Sequence, residues 1–260
     1  MAARLRTTPL ASLVVSALAA TFAAIALTPG MAAQLDEDFP AVGEFHFARM
    51  IYTDLPQYRG FGGGWWQQDY PRAEAHLLVT LERYTRIHVA EPVAVRLTDD
   101  SIFDYPWLYA VEVGRWTLDE TEAARLREYL DRGGFLMVDD FHGTYQWAGF
   151  VESMQRVFPD RPIVEIAEAD EVFHVLYDLN QRIQIPGIRA LMSGQTYEED
   201  GYTPHWRGIY DDDGRLMVAI NFNMDLGDAW EHADDPRYPE PMTTLAYRFA
   251  VNYVVYAMTH

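Results

Sequence analysis

Between residues 44 and 260 the apolar positions recur with two different periods, and the change of period marks out strands and helices. EFHFARMIY (44–52) alternates and carries aromatics and isoleucine, which predicts a first strand. RGFGGGWWQQDYP (59–71) is glycine-rich and predicts a mobile loop. In 70–85, Ala73, Leu77, Leu78, Leu81 and Tyr84 share one helical face, with Pro71 suited to the first turn. PVAVRLTD (92–99) and YPWLYAVEV (105–113) predict two further strands. TLDETEAARLREYLDRGG (117–134) carries the clearest helix signals. Thr117 and Glu120 have capping-box spacing, Leu118, Leu126 and Leu130 form an apolar face, and Gly133-Gly134 supply a stop. FLMVDD, from residue 135, predicts a strand covered on both sides. QWAGFVESMQRVFPD (146–160) predicts a helix ended by Pro159.

Beyond residue 160 the order is less regular. EVFHVLYDL (171–179) has the spacing of a short helix, and RGIYDDDGRLMVAINFN (207–223) predicts a hairpin turning at Asp213-Gly214. LGDAWEHADDPRYPE (226–240) predicts an acidic loop, and MTTLAYRFAVNYVVYAM (242–258) a closing amphipathic helix. Alternating strands and helices imply parallel strands joined by crossover helices. The expected fold is α/β: a single flavodoxin-like domain over 44–260, with a mostly parallel sheet, helices on both faces and a late β-hairpin. No repeat and no second domain is visible in the pattern.

The first 33 residues differ from the rest. Arg4 and Arg6 precede an uncharged apolar run from Leu10 to Leu27, which Pro29-Gly30 break before the small residues Ala32 and Ala33. This is the order of a secretory signal peptide. Residues 34–43 follow as a short linker. The chain is therefore expected to be exported, to a periplasmic or extracellular location. The alternative is an uncleaved N-terminal anchor, since the run is nearly long enough to span a bilayer. No later stretch is apolar enough, so the mature chain is expected to have no membrane span.

Composition narrows the chemistry. The chain has no cysteine and no lysine. That excludes a cysteine nucleophile, a thiolate metal ligand, a Schiff-base lysine and a P-loop lysine. The formal charge is −19, and loss of Arg4 and Arg6 with a cleaved segment deepens it. Such a surface repels phosphate backbones, so nucleic acid is not an expected partner, while cations and neutral ligands remain open. Serine hydrolysis finds no support, because Ser101, Ser153 and Ser193 lie outside any G-x-S-x-G turn.

Candidate chemistry concentrates where FLMVDDFHG (135–143) stops being apolar. In open α/β sheets ligands bind at the carboxyl ends of strands, and Asp139, Asp140 and His142 fall at such an end. One aspartate is explained by a turn or a cap; two with a histidine exceed that need. His174 joins them as a candidate acid, base or ligand, and Asp139, His142 and His174 form a candidate set for a divalent metal. His174 and Asp178 stand four apart. The crowded carboxylates around Asp225, Asp228, Glu231 and His232 are hard donors, although their spacing fits no EF-hand loop. Asp228, Glu231 and His232 are candidate ligand contacts, as are Trp65 and Trp66, whose flat faces suit a sugar ring or another apolar ligand.

Six separated stretches, GWWQQDYPRAEAHLL, DYPWLYAVEVG, LREYLDRGGFLMVDDFHG, EVFHVLYDL, GDAWEHADDPRYPE and NYVVYAMTH, together resemble the domain of unknown function family numbered 4159. The resemblance covers roughly residues 44–260. It implies a relationship to the class I glutamine amidotransferase-like group, including trehalose-utilisation-like domains. Amidotransferases of that group place a cysteine on the turn after a central strand; the matching turn here is V-D-D-F-H-G (138–143), with Asp139 or Asp140 at the nucleophile's place. Without cysteine, glutaminase chemistry is not expected. The resulting expectation is a non-glutaminase module that binds a small molecule, a glycan or an envelope protein in a cleft at the strand ends. The alternative is a carboxylate- and histidine-based hydrolase, with or without a divalent metal. A structural role in an envelope complex is a third reading.

Overall fold

A computed structural model describes residues 39–60, 62 and 64–260. The expected signal segment and the first half of the linker lie outside these residues. In chain order the regular elements are β1 (Phe45–Ile51), β2 (Thr53–Asp54), α1 (Arg72–Tyr84), β3 (Val89–Arg96), β4 (Trp107–Val111), β5 (Trp116–Thr117), α2 (Glu120–Asp131), β6 (Phe135–Asp139), α3 (Gly143–Val157), β7 (Val164–Glu165), α4 (Ile188–Met192), β8 (His205–Tyr210), β9 (Leu216–Phe222), α5 (Leu226–Glu231) and α6 (Glu240–Thr259).

Seven strands form one sheet in the order β3-β1-β4-β6-β9-β8-β7, and β2 pairs with β5 in a separate antiparallel ribbon. The first five strands are parallel, and β8 and β7 are antiparallel additions. Counting only the parallel strands by chain position gives the order 2-1-3-4-5, the flavodoxin-like arrangement. The late hairpin is thus part of the main sheet, because its second strand, β9, is also the fifth parallel strand.

The strand pleat divides the core. Phe45 and Phe47 of β1, Trp107 and Tyr109 of β4, and Phe135 and Met137 of β6 pack with α1, α5 and α6 through Leu77, Trp230 and Phe249. Their neighbours Ala48 and Met50, Leu108 and Ala110, and Leu136 and Val138 pack on the other face with Leu126 of α2 and Phe150 of α3. Side chains on a strand point alternately to opposite faces, so unbroken apolar runs are what a doubly covered sheet requires. Among the described residues no helix is long and apolar enough to cross a membrane.

Several local expectations shift. The capping box of α2 lies two residues later than Thr117 and Glu120: Asp119 accepts the Glu122 amide at 2.8 Å, and Glu122 accepts the Asp119 amide at 3.0 Å. Thr117 is held in β5 by pairing with Thr53, and aspartate caps as well as threonine. The stretch 171–179 forms only a short 3-10 turn at Glu171–Phe173. Asn252 of α6 intercepts its backbone, bonding the Val172 and Tyr177 carbonyls and the Tyr177 amide. The expected acidic loop begins as α5, because Asp225 caps that helix through the Asp228 amide at 2.8 Å.

Candidate functional site

The carboxyl ends of β4, β6 and β9 are laced together by their own backbone. The Glu112 amide donates to the carbonyls of Asp139 and Asp140, the Asp140 amide to Met224, and the Asn223 amide to Phe141. These crossings hold three residues at positive φ: Glu112 at 54°, Asp140 at 50° and Asn223 at 62°. Asp69 (63°) and Glu199 (50°) complete the non-glycine residues of positive φ among those described. Each such residue stores roughly 1–3 kcal/mol, and strain of this kind gathers at functional sites. Here it gathers on one edge of the sheet.

Asp139 and Asp140 are adjacent yet do different work. Asp139 continues the Phe135–Met137 row and therefore faces Tyr109 and α5. Its Oδ2 accepts the Leu226 amide at 2.6 Å, the Gly227 amide at 3.0 Å and the Tyr109 hydroxyl at 3.1 Å. Its Oδ1 has no partner among the described residues. Burial and then the neighbouring Asp140 push its carboxyl up to about 7, against the pull of those donors. Asp139 thus anchors the first turn of α5.

Asp140, turned by its positive φ, meets the imidazole of His142 at 3.3 Å. The His142 Nδ1 is buried without a partner among the described residues. Burial alone would lower the imidazole's pKa, but the bond to Asp140 and the fields of Asp140, Glu198 and Asp139 leave it raised. Glu112 stands behind Asp140; burial and then Asp140 hold its carboxyl well above the usual range, while the paired Arg115 opposes them. Asn223 closes the side by accepting the Gly143 amide at 2.9 Å and donating to the Thr203 carbonyl at 2.7 Å.

Two carboxylate groups converge on this edge. Asp69, Asp140 and Asp225 each offer an oxygen within 4.8 Å of the others, and all three are buried. Asp228, Glu231 and His232 form a second such group, because positions i, i+3 and i+4 fall on one face at the end of α5. Burial and then Asp228, Asp140 and Glu231 hold Asp69 well above the carboxylate range, with Arg49 opposing. Burial and then Asp140, Asp228 and Asp69 do the same to Asp225. Burial raises Asp228 to about 6, although the Ile188 amide, 2.6 Å from Oδ2, pulls it down.

The structure separates His174 from this site. Its Nδ1 meets Asp178 at 2.8 Å and its Nε2 the Glu168 carbonyl at 2.8 Å, so both ring nitrogens are engaged. The segment before it bonds Tyr210 through Asp170, and Tyr210 pairs with Leu216 at the start of β9, the opposite edge of the sheet. Asp139, His142 and His174 therefore do not form one ligand set. Trp65 and Trp66 are half-buried against the α2–α3 face. Trp65 donates to the Tyr58 carbonyl at 3.1 Å, and the Arg115 guanidinium lies 3.8 Å from its ring. The loop expected to be mobile is thus tied down at Trp65.

Asp69, Glu112, Glu198 and Asn223 were not singled out from the sequence. Glu112 carries a signal that was available, as the first polar residue after an apolar strand run, whereas Asn221 already breaks the run before Asn223. Asp69 and Glu198 carry no such mark. A shallow groove of about 250 Å³ lies beside Gly143 and Asn223, its lining completed by Thr144, Trp147, Asp200, Arg207 and Phe222. A groove of about 560 Å³ lies elsewhere, between α1 and α6 beside Tyr84, Tyr177 and Tyr247.

No curated protein matches the chain. The sequence profile of one family, described as Domain of unknown function (DUF4159), matches residues 46–258, which contain every strand end and carboxylate described above. Over nearly the whole of its described length, the chain belongs to that family.

Proposed function

We propose that this chain is a binding module whose site lies at the carboxyl ends of β4, β6 and β9, and that its ligand is small and either positively charged or rich in hydrogen-bond donors. One observation carries the reading: buried carboxylates from separate segments, Asp69, Glu112, Asp140, Asp225 and Asp228, face one another on that edge. Like charges brought together in a poorly solvated place raise one another's energy. A ligand that supplies positive charge or donors relieves that cost. The groove beside Asn223 offers room for the ligand's body. The apolar run Leu10–Leu27 supports export of the module to the periplasm or beyond.

The test is thermal melting of the full chain with amines, guanidinium compounds and neutral sugars, repeated with Asp140→Asn. The expected result is a ligand that raises the midpoint in the wild type and loses about tenfold in affinity in the variant. If no probe shifts the wild type, the reading falls.

A second reading, a hydrolase, has one observation in its favour. Asp140 sits at positive φ on a strand-to-helix turn and bonds an imidazole two residues on. That is where a nucleophile or general base is exposed on α/β sheets. Asp139 and His174 are not part of it, since each is engaged in structural bonds. Turnover of an ester, amide or glycoside substrate that Asp140→Asn and His142→Gln both abolish would establish it.

A further inference from the structure

We propose that Asp69, Asp140 and Asp225 hold a divalent cation of the hard, oxygen-seeking kind, magnesium, calcium or manganese. The assignment deepens the binding reading above and rests on it, naming the ligand class of that site. The three aspartates come from three places: the loop before α1, the end of β6 and the cap of α5. Each offers one oxygen, and these oxygens all lie within 4.8 Å of one another. Oxygen ligands stand ~2.0–2.6 Å from such ions, so two of them on opposite sides of one ion are about 4–5 Å apart. Oxygens no more than 4.8 Å apart can all reach one such ion.

Acidic residues often crowd together without a ligand, so a second feature matters. The Asp69 side chain is nine-tenths buried, its residue 7% exposed, and its Oδ2 has no hydrogen-bond partner among the described residues. Oδ1 takes the Gln68 side-chain amide at 3.2 Å, so Oδ2 is the oxygen left free for a ligand. It lies over Gly227 in the first turn of α5, two residues from Asp225, where an added Cβ would approach to 2.4 Å. Gly187 keeps the other side open, its missing Cβ lying 2.8 Å from Asp225 Oδ2. Two glycines thus leave the carboxylate oxygens uncovered by side chains.

Neither neighbouring arginine has a hydrogen bond to Asp69, Asp140 or Asp225. Arg49 bonds Glu74 at 2.6 Å, and Arg115 bonds Glu112. The donor set contains only carboxylate oxygen, which selects magnesium, calcium or manganese over the softer metals that favour nitrogen and sulfur. His142, 3.3 Å from Asp140 Oδ1, is a positioning residue that orients this carboxylate from behind.

The experiment is titration calorimetry of the chelator-treated full chain with magnesium, calcium and manganese chlorides at physiological salt. We expect one ion per chain with a dissociation constant below ~1 mM for the best of them. Asp69→Asn, Asp140→Asn and Asp225→Asn should each weaken it about tenfold or more, the scale of loss seen even when outer partners of ligands are removed. Asp235→Asn, a change at a carboxylate paired with Arg237, should leave it unchanged. Circular dichroism and melting of each metal-free variant establish folding; relief of repulsion should keep their midpoints at or above that of the metal-free wild type. No heat with any of the three ions, or binding that survives all three asparagine variants, overturns the assignment. If metals fail while an amine or sugar still binds in an Asp140-dependent way, the cation is wrong and the binding site stands. If neither metals nor organic probes bind, both fall.

Discussion

Asp139 Oδ2 accepts the backbone amide of Leu226 at 2.6 Å, tying the last residue of β6 to the first turn of α5. The same oxygen takes the Gly227 amide and the Tyr109 hydroxyl. Asp139→Ala leaves these buried donors without an acceptor and should cost about 3 kcal/mol or more, at ~1–3 kcal/mol for each strongly buried group. Asp139→Asn retains one carbonyl oxygen and should cost clearly less. Urea denaturation of the two variants measures the difference; equal, small losses would show that the bond to α5 matters little.

Arg49 and Glu74 form an ion pair with no exposure on either side chain. Arg49 continues the Phe45–Phe47 row of β1 and stacks 4.7 Å from the Tyr109 ring, with Glu74 reaching it from α1. Glu74→Ala strands a buried guanidinium and should cost about 3–5 kcal/mol. The double variant Arg49→Met with Glu74→Leu removes both charges and should recover most of that loss. Recovery of none of it would mean that the pair is needed for more than mutual neutralisation.

Gly227 illustrates a packing limit. A Cβ there would stand 2.4 Å from Asp69 Oδ2 and 2.9 Å from the Tyr109 hydroxyl oxygen. Gly227→Ala should destabilise by about 1–3 kcal/mol through overpacking, with the far-ultraviolet spectrum preserved. It should also displace Asp69 and weaken any ligand of the carboxylate cluster. A variant as stable as the wild type and equally able to bind would contradict the close approach.

His174 provides the pH test. Its bonds to Asp178 and to the Glu168 carbonyl raise its pKa above 6.5. A raised folded-state value means that the stabilising contribution is fully present below the unfolded value near 6.5 and is lost as pH rises through the folded value. Proton NMR titration should place the His174 midpoint above the ordinary histidine value, and Asp178→Asn should lower it. An unshifted midpoint in the wild type would argue that the bond is not made in solution.

The elements were largely legible because their causes are local. The 3.6-residue spacing of Ala73, Leu77, Leu78 and Leu81 suffices to place α1, although Tyr84, expected on the same face, is exposed, and the unbroken FLMV run suffices to mark β6 as covered on both faces. Where a local signal failed, a distant residue had intervened. Asn252 of α6 bonds the backbone around Val172 and Tyr177, and no spacing within EVFHVLYDL records that.

By itself the sequence determined the fold class, a strand end at which acidic residues gather, and the absence of cysteine and lysine side chains, because periodicity and residue type act over a few positions or none. Only the tertiary structure decided which carboxylates meet. Asp139 and Asp140 are neighbours in the chain, yet the pleat sends one into α5 and a positive φ turns the other to His142. Asp69 and Asp225 are far apart in the chain, yet their carboxylates lie close together because parallel strands bring all their carboxyl ends to one side. His174 was drawn to the same set by its residue type and lies at the other edge. Distance along a chain does not measure distance through space, and the sheet order sets the second.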